Sequence, residues 1–359
     1  MASFSKEYPV HQAAADGDAT RVRELLANGA KIDARTSANE TPLIAAAGRG
    51  RLEAVQCLIE AGAKLDAKTK PSAIAEGRLT ALHRAVQIGH YRIAKLLLEA
   101  GAEVDPISQG HMTPLTHACH AGNIDMIRLL LDHGADPNGC VAGYDTPLVT
   151  AAGFLTESIV ERKNLSEQGT VDIVRELIKR GAGANVEGGS RFPLHATRSL
   201  AVTTELLAAG ADVNGRNRDG ETPLLVWALT GKLGLLRCYV AAGADVNAVS
   251  NNGETALQRI FDRRPPGIEV LELLVDAGGD INAVDKWGRS LPDYYVWMFE
   301  RQQRQAESDI PVFVALFGVE YYTEERARYI EFLRARGAIS SCKHKAKRTR
   351  SKPTENSRT

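Results

Sequence analysis

The chain has few of the features from which a membrane-spanning, disulfide-stabilised or metal-binding protein is built. No segment approaches the roughly 18 uninterrupted apolar residues of a transmembrane helix. The five cysteines are odd in number and share no metal-ligand spacing, which argues against a disulfide framework and against a zinc motif. The first residues contain no apolar run, so no secretory signal is expected. These absences predict an intracellular protein that does not insert into a membrane. Its expected location is the cytoplasm, with the nucleus as the alternative.

Net charge is also absent, but the balance is uneven along the chain. The 44 Lys and Arg residues equal the 44 Asp and Glu residues. Residues 339–359 hold seven Lys or Arg residues, one Glu and few apolar residues, which predicts a disordered basic tail. The run 343–352 is typical of nuclear import or of weak, non-specific polyanion contact, and a purely solubilising tail is the open alternative. The body that precedes the tail therefore carries a net negative charge.

Short helices in pairs account for most of what is present. In residues 112–138, Thr113 is placed to cap a helix and Pro114 suits its first position. After a break at Gly122, an apolar helical period resumes at Ile124, Ile127, Leu130 and Leu131. Gly134 suits the left-handed residue that closes a helix. The stretch predicts two short antiparallel helices that need neighbours to bury their apolar faces.

This unit recurs along almost the whole chain. The motif Thr-Pro-Leu and its looser copies give starts near residues 9, 42, 81, 114, 147, 193, 223, 256 and 291. With these motifs, the chain resembles the ankyrin-repeat family, whose unit is a β-turn and two helices with a Thr-Pro-Leu-His-x-Ala motif. The resemblance implies an all-α ankyrin-repeat solenoid of stacked helix–turn–helix units with β-hairpin-like finger loops.

Residues 1–338 are predicted to form one array of nine such repeats, followed by the tail at 339–359. Departures from the regular spacing predict an elongated finger after repeat 2, a lengthened repeat 5 and an insertion in repeat 9. These insertions lie at residues 67–78, 153–169 and 300–325. Repeat 6 is short by three residues, so its helix pair is expected to be tight or distorted. Leu97 and Leu130 are predicted to anchor the core of the most regular repeats.

Candidate chemistry is sparse. His117, Cys119 and His120 cluster on one helix, but a closed zinc site needs four ligands and no second pair accompanies them, so a structural role is favoured. No phosphate-binding glycine loop or nucleophile elbow is complete. The sequence therefore predicts no catalytic residue, no cofactor and no metal.

Two sets of polar residues take roles that the resemblance implies. The histidines at the motif position are expected to form hydrogen bonds between adjacent repeats, and these are His11, His83 and His195. The asparagines after the closing glycine are expected to brace the finger loops through backbone hydrogen bonds, and these are Asn138, Asn185, Asn214, Asn247 and Asn282.

The resemblance implies a non-catalytic scaffold or adaptor that binds another protein on its concave face and finger loops. The alternatives are a substrate-recruitment subunit, for example of a ubiquitin ligase, or a pathogen effector. An enzyme is less favoured than either. A monomer is expected. The candidate contacts are the residues expected at finger tips and in the insertions: Arg35, Lys68, Lys70, Arg78, Gln109, Tyr144, Phe154, Arg191, Arg216, Arg218, Asp219, Asn251, Lys286 and Trp287.

Overall fold

The computed structural model describes most of the predicted array. The described residues are 8–71, 77–153, 166–187, 189, 192–260, 267–291, 328, 331–333 and 335–337. The predicted tail at 339–359, the insertion at 300–325 and most of the insertion at 153–169 lie outside them. The chain forms two compact parts, Met1–Ala211 and Asp212–Thr359.

The first part consists of helix pairs that follow the predicted repeats. Repeats 1 to 3 contain α1 Pro9–Asp16, α2 Ala19–Ala27, α3 Pro42–Gly48, α4 Leu52–Glu60, α5 Ala81–Ile88 and α6 Tyr91–Glu99. Repeats 4 to 6 contain α7 Pro114–Ala121, α8 Ile124–Asp132, α9 Pro147–Ala152, α10 Glu167–Lys179, α11 Pro193–Ala196 and α12 Leu200–Ala208.

The second part continues the same pattern. Its helices are α13 Pro223–Ala228, α14 Leu233–Ala241, α15 Ala256–Arg259 and α16 Ile268–Asp276. Leu291 begins a further helical turn at the predicted start of repeat 9. None of the helices in the described ranges is long and apolar enough to cross a membrane.

Threonine caps fix where the first helix of each regular repeat begins. The Thr113 hydroxyl accepts the amide proton of Thr116 at 3.2 Å, as the sequence predicts. Thr41, Thr146 and Thr222 cap α3, α9 and α13 in the same way. Gly134 has a φ of +87°, which only a residue without a Cβ adopts easily, and it closes α8 as predicted.

The helices of each part form two rows. The first helix of each pair packs against the first helix of the next pair, and the second helices pack in their own row. The first row is almost entirely buried, and in α3 every residue from Pro42 to Ala47 is buried. Small side chains such as Ala45 and Ala46 let these helices approach closely. Leu97 and Leu130 are fully buried in the second row, which confirms their predicted place in the core.

Side chains at the motif position join consecutive repeats, as the resemblance implies. His11 Nε2 lies 2.9 Å from the Glu40 carbonyl oxygen, and His83 Nε2 lies 3.3 Å from that of Met112. Glu40 and Met112 both directly precede the cap of the next repeat. Gln258 takes the same role in repeat 8, since its Nε2 donates to the Arg289 carbonyl at 3.0 Å. Gln258 was missed at the sequence level because the motif names only histidine at this position.

Repeats 5 and 6 depart from the regular pattern. The helix α10 has 13 residues, whereas the other second helices have nine. In repeat 6, α11 has only four residues and Thr197–Ser199 alone separate it from α12. The missing residues therefore come from the first helix and from the turn after it.

Candidate functional site

The loops between repeats are short turns, which we call fingers 1 to 8 after the repeat that precedes each. Finger 1 is residues 31–40, finger 2 is 64–79 and finger 3 is 103–112; fingers 4 to 8 are 136–145, 183–192, 212–221, 245–254 and 280–289. The described residues of these fingers contain no β-strand. Most fingers are closed by one backbone hydrogen bond, such as Ser108 to Met112 at 3.1 Å and Asp285 to Arg289 at 3.0 Å.

In fingers 1, 3, 6, 7 and 8 a polar side chain five residues before the cap braces the finger from within. Thr36 Oγ1 accepts the Glu40 amide at 3.1 Å, and Ser108 Oγ accepts the Met112 amide at 3.2 Å. In finger 8 the buried Asp285 carboxylate accepts the amides of Trp287 and Arg289 at 2.9 and 2.8 Å. These bonds hold the tip residues in fixed positions.

Four of the asparagines after the closing glycine donate to the backbone of the next repeat: Asn138, Asn185, Asn214 and Asn247. Asn138 Nδ2 donates to the Gly181 carbonyl at 3.0 Å, and Asn138 Oδ1 accepts the Gly183 amide at 2.8 Å. Asn214 and Asn247 make equivalent pairs of bonds in the second part. These side chains therefore point along the stack, where the carbonyl groups at a helix end have no partner within the helix and can accept their amide protons.

Repeats 1 to 3 have aspartate at this bridging position. Asp33, Asp66 and Asp105 each accept the backbone amide of the next repeat, at 2.9 to 3.0 Å. A carboxylate cannot donate, so it cannot bond to the carbonyl of the closing glycine. Each of the first three aspartates therefore makes one of the two bridging hydrogen bonds that Asn138, Asn214 and Asn247 make.

Adjacent finger tips are linked through their backbones. In the first part the Lys70 amide donates to the Ala38 carbonyl at 2.9 Å, and Gln109 to Gly77 at 2.8 Å. In the second part Asn251 donates to Asp219 at 3.0 Å and Lys286 to Asn252 at 3.2 Å. Backbone bonds thus connect fingers 1 to 3 into one edge and fingers 6 to 8 into another.

The structure places the described candidate residues of the first part on its fingers. Arg35, Lys70, Arg78 and Tyr144 are exposed, and Lys68 and Gln109 are half-buried. The Tyr144 ring stacks on His111 with 4.1 Å between the ring centroids. Phe154 and Arg191 lie outside the described residues.

The candidate residues of the second part also share one edge, and all are exposed: Arg216, Arg218, Asp219, Asn251, Lys286 and Trp287. Trp287 is 55% exposed, which favours a finger-tip position over packing in a core. Two cations flank its ring, with Lys286 Nζ at 4.5 Å and Arg289 Cζ at 4.6 Å from the centroid.

The histidine and cysteine cluster of α7 is divided between core and surface. His117 and Cys119 are buried, whereas His120 is exposed. Burial raises the pKa of the Cys119 thiol far above its ordinary value, so the thiolate that would bind a metal is disfavoured. In the described ranges no group of three or more His, Cys, Asp or Glu residues is arranged to hold a metal ion.

The comparisons with known proteins identify the repeats. Residues 10–108 match the family model for ankyrin repeats in three copies, and residues 110–140 match the model for a single ankyrin repeat. No curated protein matches the chain. Among the solved structures that match is the ankyrin repeat domain of human ASB11, with 24% identity and a TM-score of 0.53. That match covers 66% of this chain and 98% of that chain, and it concerns the fold alone.

Residues 10–108 and 110–140 are thus identified as ankyrin repeats, and the fold is an all-α ankyrin solenoid. Ankyrin repeats are generally modules for protein–protein interaction and are typically non-catalytic. The fingers and the first helices that they flank are therefore the candidate interaction surface of this chain.

Proposed function

We propose that this chain is a non-catalytic scaffold or adaptor that binds a partner protein through its finger tips and the adjacent first helices. The observation that carries the proposal is the edge of linked fingers, on which charged and aromatic side chains stand exposed. These tips are held by hydrogen bonds within and between fingers, so little conformational entropy is lost when a partner docks.

Aromatic residues on the fingers are the strongest candidate contacts. Trp287 and Tyr144 are both largely exposed although they are apolar and large. Tryptophan, tyrosine and arginine dominate the binding energy of protein interfaces. The two cations beside Trp287 hold its ring in place, which reduces the entropy cost of burying it under a partner.

A matched pair of tyrosines tests the proposal. Tyr144 on finger 4 is 43% exposed, and Tyr91 on the second helix α6 is 42% exposed. Full-length protein with Tyr144→Ala or Trp287→Ala should retain less of its captured partner than the wild type, with partners identified by mass spectrometry. Tyr91→Ala should capture as much partner as the wild type, because it lies on the opposite row of helices.

Loss of partner with Tyr91→Ala, and none with the two finger variants, would show that the second helices form the interface. Co-purification of ubiquitin-ligase subunits would instead favour substrate recruitment. Circular dichroism of each variant separates lost contacts from lost folding.

A further inference from the structure

Fingers 1 and 2 carry a charge pattern that the later fingers do not share. Two residues after the closing glycine, they have Lys31 and Lys64. At the same position five later fingers have an acidic residue: Glu103, Asp136, Asp212, Asp245 and Asp280. Four residues further on, fingers 1 and 2 add Arg35 and Lys68, and finger 2 also holds Lys70 and Arg78. The described residues of these two fingers thus carry six cations, although the body of the chain is acidic overall.

The carboxylates of these two fingers are engaged by the backbone or withdrawn from solvent. Asp33 Oδ1 accepts the Lys64 amide at 3.0 Å, and Asp66 Oδ1 accepts the Glu103 amide at 3.0 Å. Glu40 is half-buried, and burial raises its pKa, although Arg84 and Arg49 act in the opposite direction. Asp33 and Asp66 thus each have one oxygen bound to a backbone amide, and Asp66, which is exposed and lines the groove described below, remains an acidic group among the six cations.

The cations, by contrast, form no ion pair with any described residue, unlike several arginines on or next to the second helices. Arg128 and Arg180 both bind Glu176, and Arg175 binds Glu205. Unpaired charges of one sign on a rigid edge produce a local positive potential that attracts an anionic ligand.

A groove between fingers 1 and 2 is lined by several of these cations. It encloses about 620 Å³ and is lined by Arg35, Asn39, Lys64, Asp66 and Lys68 among others. Arg35 Nη1 and Asn39 Nδ2 donate to the Lys68 carbonyl, at 3.4 and 3.0 Å, and join its two walls. Asn39 itself has a φ of +63°, a left-handed conformation that asparagine tolerates better than most residues. Lys64 and Asn39 were not among the sequence candidates, because their role depends on the neighbouring finger.

We propose that the groove between fingers 1 and 2 binds an extended acidic segment of a partner protein. In such a segment alternate side chains point the same way, so carboxylates at every second residue can meet Arg35, Lys64 and Lys68 together. The proposal rests on the scaffold function and names the chemistry of one of its contacts. A nucleic acid is the less suited anion, since the described residues of both fingers include no aromatic side chain for base stacking.

Fluorescence anisotropy on the full chain tests this with three labelled probes: a short peptide alternating Glu and Ser, the same peptide with Gln for Glu, and oligothymidine. We expect the Glu peptide to bind at low salt, to weaken as salt rises and to bind at least about tenfold more tightly than the Gln peptide. The combined change Arg35→Glu, Lys64→Glu and Lys68→Glu should weaken it at least about tenfold. The triple Gln variant serves if the Glu variant fails to fold.

The matched control reverses three exposed cations of the second helices, with Arg23→Glu, Arg92→Glu and Lys179→Glu. It changes the net charge by the same amount and should leave peptide affinity unchanged. Equal losses in both triple variants, or tighter binding of oligothymidine than of the Glu peptide, would overturn the proposal.

The two proposals fail in different ways. If partner capture is lost in the Tyr144→Ala or Trp287→Ala variants but the Glu peptide does not bind, the scaffold function stands and the acidic segment is refuted. If the finger variants capture every partner as the wild type does, the scaffold function itself fails.

Discussion

At the scale of single residues, the side chains that hydrogen-bond one repeat to the next determine how a substitution alters stability. Burial lowers the pKa of His11, although its hydrogen bonds to the backbone of Glu40 and Ala34 act in the opposite direction. The folded state therefore prefers neutral His11, and the unfolded chain takes up a proton near the ordinary pKa of 6.5. The contribution of His11 to stability is complete above that pH and is lost as the pH falls below it.

His11→Gln should remove this pH dependence and keep the bridge, because Gln258 makes the same bond in repeat 8. We expect the variant to match the wild type at alkaline pH and to lose less stability on acidification, by up to about 1.4 kcal/mol for each pH unit. Urea denaturation across the pH range measures this. Parallel curves for both proteins would contradict the role of His11.

Asp105→Asn should stabilise the first part. Burial raises the pKa of Asp105; the hydrogen bond from the Asp136 amide opposes this, and the charges of Asp136 and Glu103 add to it. The wild type thus loses stability as the pH rises above the unfolded value of 3.8 through the higher folded pKa. Asparagine removes the charge and can donate to the Gly134 carbonyl, as Asn138 does to Gly181.

We expect the Asp105→Asn change to raise the free energy of unfolding by about 0.5–1.5 kcal/mol at neutral pH, and by less in acid. Asp66→Asn is the control, because it adds the same amide donor at an exposed aspartate. Comparing the two variants separates the effect of the added hydrogen bond from the effect of removing a partly buried charge. A destabilised Asp105→Asn protein would show that the added donor finds no acceptor.

At the scale of helices, burial in the second row decides the cost of a truncation. Leu97→Ala or Leu130→Ala should lower the free energy of unfolding by roughly 2–5 kcal/mol, because each empties a fully buried site. Leu200→Ala, on the surface of α12 with the side chain 47% exposed, should change it by less than about 0.5 kcal/mol. Equal denaturation midpoints for all three variants would contradict the packing of this row.

The helix α10, the longest in the described residues, shows what a local sequence pattern does not determine. The late closing signal at Gly181 predicts a longer repeat 5, but it does not say which helix grows. In the structure, ion pairs join α10 and the residue after it to both neighbouring repeats. Arg180 pairs with Asp132 at 2.6 Å, and Arg175 pairs with Glu205 at 2.7 Å. The partners of each pair are 30 or more residues apart in sequence, so no local period indicates them.

At the scale of the whole molecule, the sequence predicts the repeats well and the site only in outline. Thr113, Gly134 and Leu130 follow from capping, chirality and period, which are local properties. The groove residues Asn39 and Lys64 do not, since their meaning comes from contact with a neighbouring finger. The charge contrast between Lys64 and Asp136, at equal positions in two repeats, is the sequence signal that could have indicated the groove.

The bridging asparagines also bear on how the protein ages chemically. Asn138 and Asn214 are each followed by glycine, the residue that least hinders the backbone attack that deamidates asparagine. Here the attacking amides of Gly139 and Gly215 are bonded to the carbonyls of Asp136 and Asp212, at 3.0 and 3.2 Å, and both side chains are held by the next repeat.

Deamidation at these two sites should therefore be slow in the folded chain and fast once a repeat separates from its neighbour. Isoaspartate at residues 138 and 214, measured in folded and urea-unfolded samples over time, checks this, and equal rates would refute it. Each conversion replaces the asparagine amide by a carboxylate, in aspartate or isoaspartate, and so removes the donor to the carbonyl of the closing glycine. The amount of isoaspartate at these two sites should therefore increase with the total time that the stack has spent open.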